Sequence, residues 1–309
     1  MSYFLSRLVY LFTLWVGIIA ATFALFHVVP TDPVRTMLGP SASEAQVASV
    51  RQTLELDKPL TTQFIHYIAR VATLDFGHSF VDGRPVGPEV RKKLSLTAIL
   101  ASITTALIAI YLVAAMTLEG VGRWSWLSEA IAFFCVSLPT LFSGVIVALA
   151  AVVYYPYTRF SGSLATVDDW LYLLPAALVL ALYPIGILTR IAKAQMHKVF
   201  DAEYVRAARA RGLSRGTLLR SYILRNSLVP LLAAFGNQLP LLLTSTFIVE
   251  IIFSVPGIGA LLLKSVMERD LPMLEGIVVA TSLLTIGVSL LLDLLYPLAD
   301  PRIRKQNAT

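Results

Sequence analysis

The sequence predicts an all-α membrane protein, and three observations carry that prediction. Only 14% of its 309 residues are charged while 57% are hydrophobic, against about 25% charge in an ordinary soluble domain. Six apolar runs are each long enough to cross a bilayer, which takes roughly 20 residues of helix. The basic excess is confined to one segment. Residues 190–229 hold Arg190, Lys193, Lys198, Arg206, Arg209, Arg211, Arg215, Arg220 and Arg225 against Asp201 and Glu203, so the rest of the chain sums to −1 of the net +6. A charge so localised speaks against nucleic acid as a partner. The single cysteine, Cys135, has no partner for an internal disulfide.

The runs fall at about 9–29, 96–118, 130–154, 171–189, 228–252 and 276–298. The first follows Arg7 and is uncharged for more than twenty residues, too long for a signal-peptide core of about 7–15, and is expected to stay as a span. Residues 30–95 then form a large external loop between spans one and two. Within it, Ser43 is placed to cap a helix running to Leu56. A second, amphipathic helix presents Phe64, Ile65, Ile68, Val71 and Ala72 and stops before the Asp75–Gly77 turn. Residues 1–95 therefore read as the first span plus an external cap, and residues 96–309 as a five-span core with a connector at 190–229.

Positive charge beside span ends marks the cytoplasmic face, which puts 190–229 inside. Both termini follow by alternation, in keeping with Arg7 at one end and Arg302, Arg304 and Lys305 at the other. Arg91-Lys92-Lys93 lies on the outer side, in a long loop with eight basic and seven acidic residues, where the rule has little force. Pro184 and Gly186 are expected to kink span four. Pro256 and Gly257 are expected to stop the helix after span five, with Gly259 allowing close packing.

The connector contains "DAEYVRAARARGL", residues 201–213. Asp201 can cap a helix, Glu203 suits its positive end, and Gly212 supplies the left-handed residue that ends one. Such a helix is about 15 Å long at 1.5 Å per residue. Ala207-Ala208 keeps its middle slim, and Tyr204 shares a flank with Ala208. Ser214 begins a second helix whose Leu218, Leu219, Tyr222 and Ile223 make an apolar face. By build alone, the first helix suits anionic lipid headgroups and a docking protein equally well.

The pattern resembles the conserved cytoplasmic loop of ATP-binding cassette importer permeases, whose signature is E-A-A, three residues, then Gly. Ala207, Ala208 and Gly212 take the A-A and Gly positions, and Arg206 stands where the Glu would be. The form "YVR-x-AR-x-x-G-L" is similar to the dipeptide, oligopeptide and nickel branch. "TDPVRTMLG" (31–39), "LDKPL" (56–60) and "LDFGHSF" (74–80) resemble that branch's external region. "LRNSLVP" (224–230), "VEIIFSVPGIGALLL" (249–263) and "DLLYPLADPRIR" (293–304) resemble its C-terminal half. "RKKLSLTAIL" departs from it by lacking a proline before Thr97.

The resemblance implies a subunit of the bacterial cytoplasmic (inner) membrane. It would pair with a second homologous permease, two ATP-binding subunits and an external solute-binding protein. Glu203, Tyr204, Ala207, Ala208 and Gly212 would be the ATPase-coupling contacts. The cargo it implies is dipeptides or oligopeptides, with nickel as the alternative.

ATP and Mg would act in the partner. A phosphate-binding loop needs G-x-x-x-x-G-K-[ST], and none of the 17 glycines precedes a lysine. No H-E-x-x-H occurs, and His27, His66, His78 and His197 are scattered among six methionines without clustering. Neither a metal site nor a catalytic residue is therefore expected. Asn237, Gln238, Thr244 and Glu250 are candidates to line a pathway, Glu250 also being placed to anchor the external turn. A secondary transporter would carry ionisable groups near midplane or paired broken helices, and the runs hold almost no such charge.

Overall fold

The computed structural model describes residues 2–28, 34, 43–53, 57–120, 125–154 and 167–299. The 31–39 motif, Val34 excepted, and the basic residues Arg302, Arg304 and Lys305 lie outside these. Among the described residues the structure is helical, with one isolated bridge between His78 and Pro85. Two compact units make up the chain, residues 1–96 with 257–287 and residues 97–256 with 288–309. Residues 257–287 thus group with the N-terminal region.

In the first unit α1 is Ser2–Val28, α2 Glu44–Thr53 and α3 Leu60–Ala72. The unit also takes the first turns of α4 (Val86–Gly120), which continues into the second unit. The face α3 buries differs from the one its apolar residues suggest. Tyr67 and Val71 are buried, whereas Ile65 and Ile68 are exposed. Aromatic packing decides this: the Phe23 ring lies 5.0 Å from Phe64 and 5.6 Å from Tyr67, a geometry that adds to area burial. Burial pushes the Tyr67 hydroxyl well above its ordinary pKa, with the Glu275 carboxylate adding to the rise.

Among the described residues, three helices end on a non-glycine residue in left-handed conformation: Leu74, Ser254 and Arg269. Each end is closed by a backbone bond reaching five residues back. These are Asp75 N–H to Arg70 O at 3.0 Å, Val255 N–H to Glu250 O at 2.8 Å, and Asp270 N–H to Ser265 O at 2.9 Å. Span five therefore stops by this wrapped end at Ser254, before Pro256 and Gly257 are reached, because the bond already satisfies its last carbonyls.

The second unit is built around one helix. After α5 (Ser125–Ser137) and α6 (Thr140–Tyr154), α7 runs Val167–Phe200 and packs against both, and against α10 (Arg225–Ile252). Its Ala176, Ala177 and Ala181 are fully buried, the small residues that let helices approach without a bulky side chain between them. Leu100, Leu173, Val179, Val249 and Phe253 complete that core. The run expected as one span at 130–154 is two helices bent by 99°. Pro139 causes the break: its ring removes a donor and pushes Leu138 out of helical conformation.

In all, four described helices are long and apolar enough to cross a bilayer, besides this bent pair and the apolar stretch Leu8–Ala24 of α1. The remaining elements are α8 (Glu203–Ala210), α9 (Arg215–Leu218) with a π-helical turn at Leu219–Leu224, α11 (Ile258–Glu268) and α12 (Leu271–Ala299). Pro175 and Pro184 both sit inside α7 as one continuous element.

Candidate functional site: the basic connector and its helix

The connector begins where α7 outruns its apolar stretch. A turn closed by Asp201 N–H to His197 O at 3.1 Å and Ala202 N–H to Val199 O at 3.1 Å leads into α8. The residue in capping position is Ala202, extended at φ −67° and ψ 144°, with no side-chain cap. Asp201, the expected cap, stands one residue too early. Glu203 in the first turn supplies the favourable charge instead.

The far end follows the sequence reading. Gly212 is left-handed at φ 79°, and Leu213 N–H reaches back to Ala208 O at 3.4 Å while Gly212 N–H bonds Arg209 O at 2.9 Å. That paired closure satisfies the orphan carbonyls, and glycine takes the conformation without strain. Ser214 then caps the next helix, accepting from Thr217 N–H at 3.3 Å. Leu218 and Ile223 are buried and Leu219 and Tyr222 half-buried, the apolar face expected there.

The two faces of α8 divide its residues sharply. Val205 and Ala208 are 0% exposed. Glu203, Tyr204, Arg206, Ala207, Arg209 and Gly212 are exposed. Of the five expected coupling contacts, four are therefore available to a partner, and Ala208 is turned onto the protein itself. There it lets α8 sit close, which a larger side chain would prevent. The Arg209 guanidinium lies 4.3 Å from the centre of the Phe200 ring, a cation–π contact that ties α8 to the last residue of α7. Sequence reasoning missed this tie because nothing in the spacing marks a cation for a ring nine residues earlier.

The pathway candidates do not converge. Asn237 and Thr244 are exposed on one stripe of α10 with Leu241 and Ile248, at the four- and seven-residue steps that share a helix face. Gln238 is half-buried, and its Oε1 has no hydrogen-bond partner. Glu250 is 0% exposed and accepts a 2.5 Å hydrogen bond from the Thr97 hydroxyl of α4. It therefore joins two helices from the inside. Thr97 is itself buried.

Residues 1–101 match the family described as the N-terminal membrane component of binding-protein-dependent transport systems. Residues 106–305 match the family described as binding-protein-dependent transport system inner membrane component. The chain belongs to that family. Similar proteins include a putative peptide transport system permease protein of Brucella abortus, 31% identical over 291 residues and 92% of each chain. The glutathione transport system permease protein GsiC of Escherichia coli K12 is 32% identical over 309 residues, 98% of this chain and 99% of its own. This permease is accordingly a multi-pass inner-membrane component of a transport system, and its family is not itself catalytic.

A second structured element of the permease, the hairpin at residues 77–86, was not legible as such. Ser79 N–H bonds Arg84 O at 2.9 Å and Val86 N–H bonds Gly77 O at 3.0 Å. Asp270, only 3% exposed, clamps it: one carboxylate oxygen accepts from the Ser79 hydroxyl at 2.5 Å and the other from Phe80 N–H at 3.1 Å. At the tip, the hydrogen-bonded Arg84 guanidinium holds the exposed Asp82 carboxyl well below the usual carboxylate range. With a depressed folded pKa, that pair's contribution is present above the unfolded value and lost only as pH falls through the folded one.

Acidification from pH 7 to 5 is thus expected to leave the Asp82–Arg84 pair formed, read as unchanged hairpin protection once amide exchange is corrected for its intrinsic pH dependence. Asp270→Ala is expected to raise that exchange and lower stability by about 1–3 kcal/mol, since the buried Ser79 hydroxyl and the half-buried Phe80 N–H lose their acceptor.

Proposed function

We propose that this permease is one transmembrane half of an ATP-driven, binding-protein-dependent importer of dipeptides or oligopeptides. α1, α4, the bent pair α5–α6, α7, α10 and α12 serve as six spans, with the connector and both termini in the cytoplasm. A second homologous permease completes the pathway. Two ATP-binding subunits hydrolyse ATP with Mg, and an external solute-binding protein delivers cargo. No cofactor is bound by this chain.

The observation that carries the reading is the build of α8. It is a short exposed helix, closed at its far end by Gly212 and tied by Arg209 to Phe200 at the end of a long span. A partner that grips Glu203, Tyr204 and Ala207 therefore moves α7 directly, without first melting a loop. Rigid-body movement of packed elements is the usual form of such a transition. The wrapped end at Gly212 hands the same push to the helix that follows Ser214.

Peptide is favoured over nickel because the similar proteins are named for peptide and glutathione transport. The deciding experiment is uptake in proteoliposomes holding both permeases, the ATPase subunits and the binding protein. ATP-dependent accumulation of a labelled short peptide, not competed by nickel, is the expected result. Accumulation of labelled nickel without peptide overturns the cargo assignment, and accumulation without any ATPase subunit overturns the importer reading.

A further inference from the structure

The connector holds more positive charge than α8 uses. Arg215, Arg220 and Arg225 follow one another at five-residue intervals, and all three are exposed. In an α-helix of 3.6 residues per turn, five-residue steps scatter side chains around the axis. Here the step from Arg220 to Arg225 crosses the π-helical turn Leu219–Leu224, whose hydrogen bonds run from i to i+5. Residues five apart then take the relation that residues four apart have in an α-helix.

The buried face confirms the register. It steps from Leu218 to Ile223, five residues on, and then to Ser227 and Leu231 at four. The exposed face makes the same step from Arg220 to Arg225. The widened turn is held by the Asn226 side-chain amide, which donates to Tyr222 O at 2.6 Å.

Depth decides what this pair meets. Arg225 precedes by three residues Leu228, where the apolar run of span five begins, a rise of about 4.5 Å. With span five beginning at Leu228 and the connector inside, its guanidinium comes to the level of the headgroups, with Arg220 one turn further out. Two guanidinium forks carried on one helix face at that level suit the oxygens of a phosphodiester. Each cation near an anionic surface contributes about fivefold in affinity.

We infer that Arg220 and Arg225, aligned by the π-helical turn, form a site for the headgroup of an anionic phospholipid of the cytoplasmic leaflet. The site steadies the inner end of span five while α8 is pushed. This rests on the cytoplasmic placement of the connector proposed above.

The test uses the full permease with its ATPase subunits in nanodiscs of phosphatidylcholine and phosphatidylglycerol, reading retained lipid by native mass spectrometry. The double substitution R220Q/R225Q is expected to lower phosphatidylglycerol retention by about 25-fold and each single one by about fivefold. Phosphatidylcholine should be unaffected, and the ATPase subunits should stay bound. R206Q, on α8, should leave lipid retention unchanged.

Wild-type phosphatidylglycerol retention in the double variant overturns the site. So does equal loss in R206Q, which would mean diffuse attraction. Loss of ATPase subunits with lipid kept would make the pair a protein contact instead. A failed importer reading shows separately, as ATPase subunits that never bind the unmodified chain.

Discussion

Gly186→Val is expected to reduce folded permease to a small fraction of wild type and to abolish uptake. At Gly186 the α7 backbone meets α5 so closely that an added Cβ would fall 2.6 Å from Val136 Cγ2, 2.8 Å from the Ala132 carbonyl oxygen and 3.0 Å from Val136 N. Two of those atoms are backbone, and cannot swing aside as a side-chain tip could. Overpacking of a core costs about 1–3 kcal/mol where neighbours can adjust, so the upper end or beyond applies here. The same two helices are joined lower down by Lys193 and Glu129, 2.5 Å apart, and separating them would strain that pair as well. Gly216→Ala is the control, because a Cβ there meets nothing within 4 Å and alanine is the better helix former. Fluorescence-detected size exclusion over a temperature series checks both. A Gly186→Val protein with wild-type melting and uptake would show that α5 and α7 do not pack this way.

Gly186 also shows where sequence reasoning stops. A glycine two residues after a proline in an apolar run suggests a kink, and its use as a contact surface emerges only when α5 is laid against it. Composition made the apolar helices legible, because lipid demands long uncharged runs whatever their arrangement. Gly212 was legible because one residue type answers one backbone need. Asp201 was misjudged since capping depends on which residue is extended, and Ala202 takes that role.

The π-helical turn was invisible: its sequence has the same apolar periodicity as an α-helix, and the insertion shows only as a five-residue step between buried positions. The bend at Pro139 is a local effect of a proline in an apolar run, whereas the Asp270 clamp depends on a partner, Ser79, 191 residues away. Glu250 and Thr97 are 153 residues apart, a pairing that no local pattern carries.

Ala207 and Ala208 separate docking from folding, because neighbours in sequence lie on opposite faces of α8. Ala207 is exposed and Ala208 is 0% exposed. Ala208→Glu places a carboxylate at a position with no exposed surface, a burial that costs several kcal/mol. It is expected to unseat α8 and lower the amount of stable protein, so lost uptake in that variant says nothing about a partner.

Ala207→Trp changes only the outward surface, where substitutions usually stay within about 0.5 kcal/mol of neutral. It should leave insertion and melting as in wild type while blocking a close-fitting partner surface. The expected result is at least a tenfold loss of ATPase subunits co-purifying with the permease, about 1.4 kcal/mol of binding, with uptake falling in step. The Gly212→Asp variant should lie between the two, since it strains a left-handed residue at the helix end and presents a charge beside the docking face. If Ala207→Trp retains its ATPase subunits and its uptake, the exposed face of α8 is not the contact. The coupling surface would then have to be sought elsewhere on the connector.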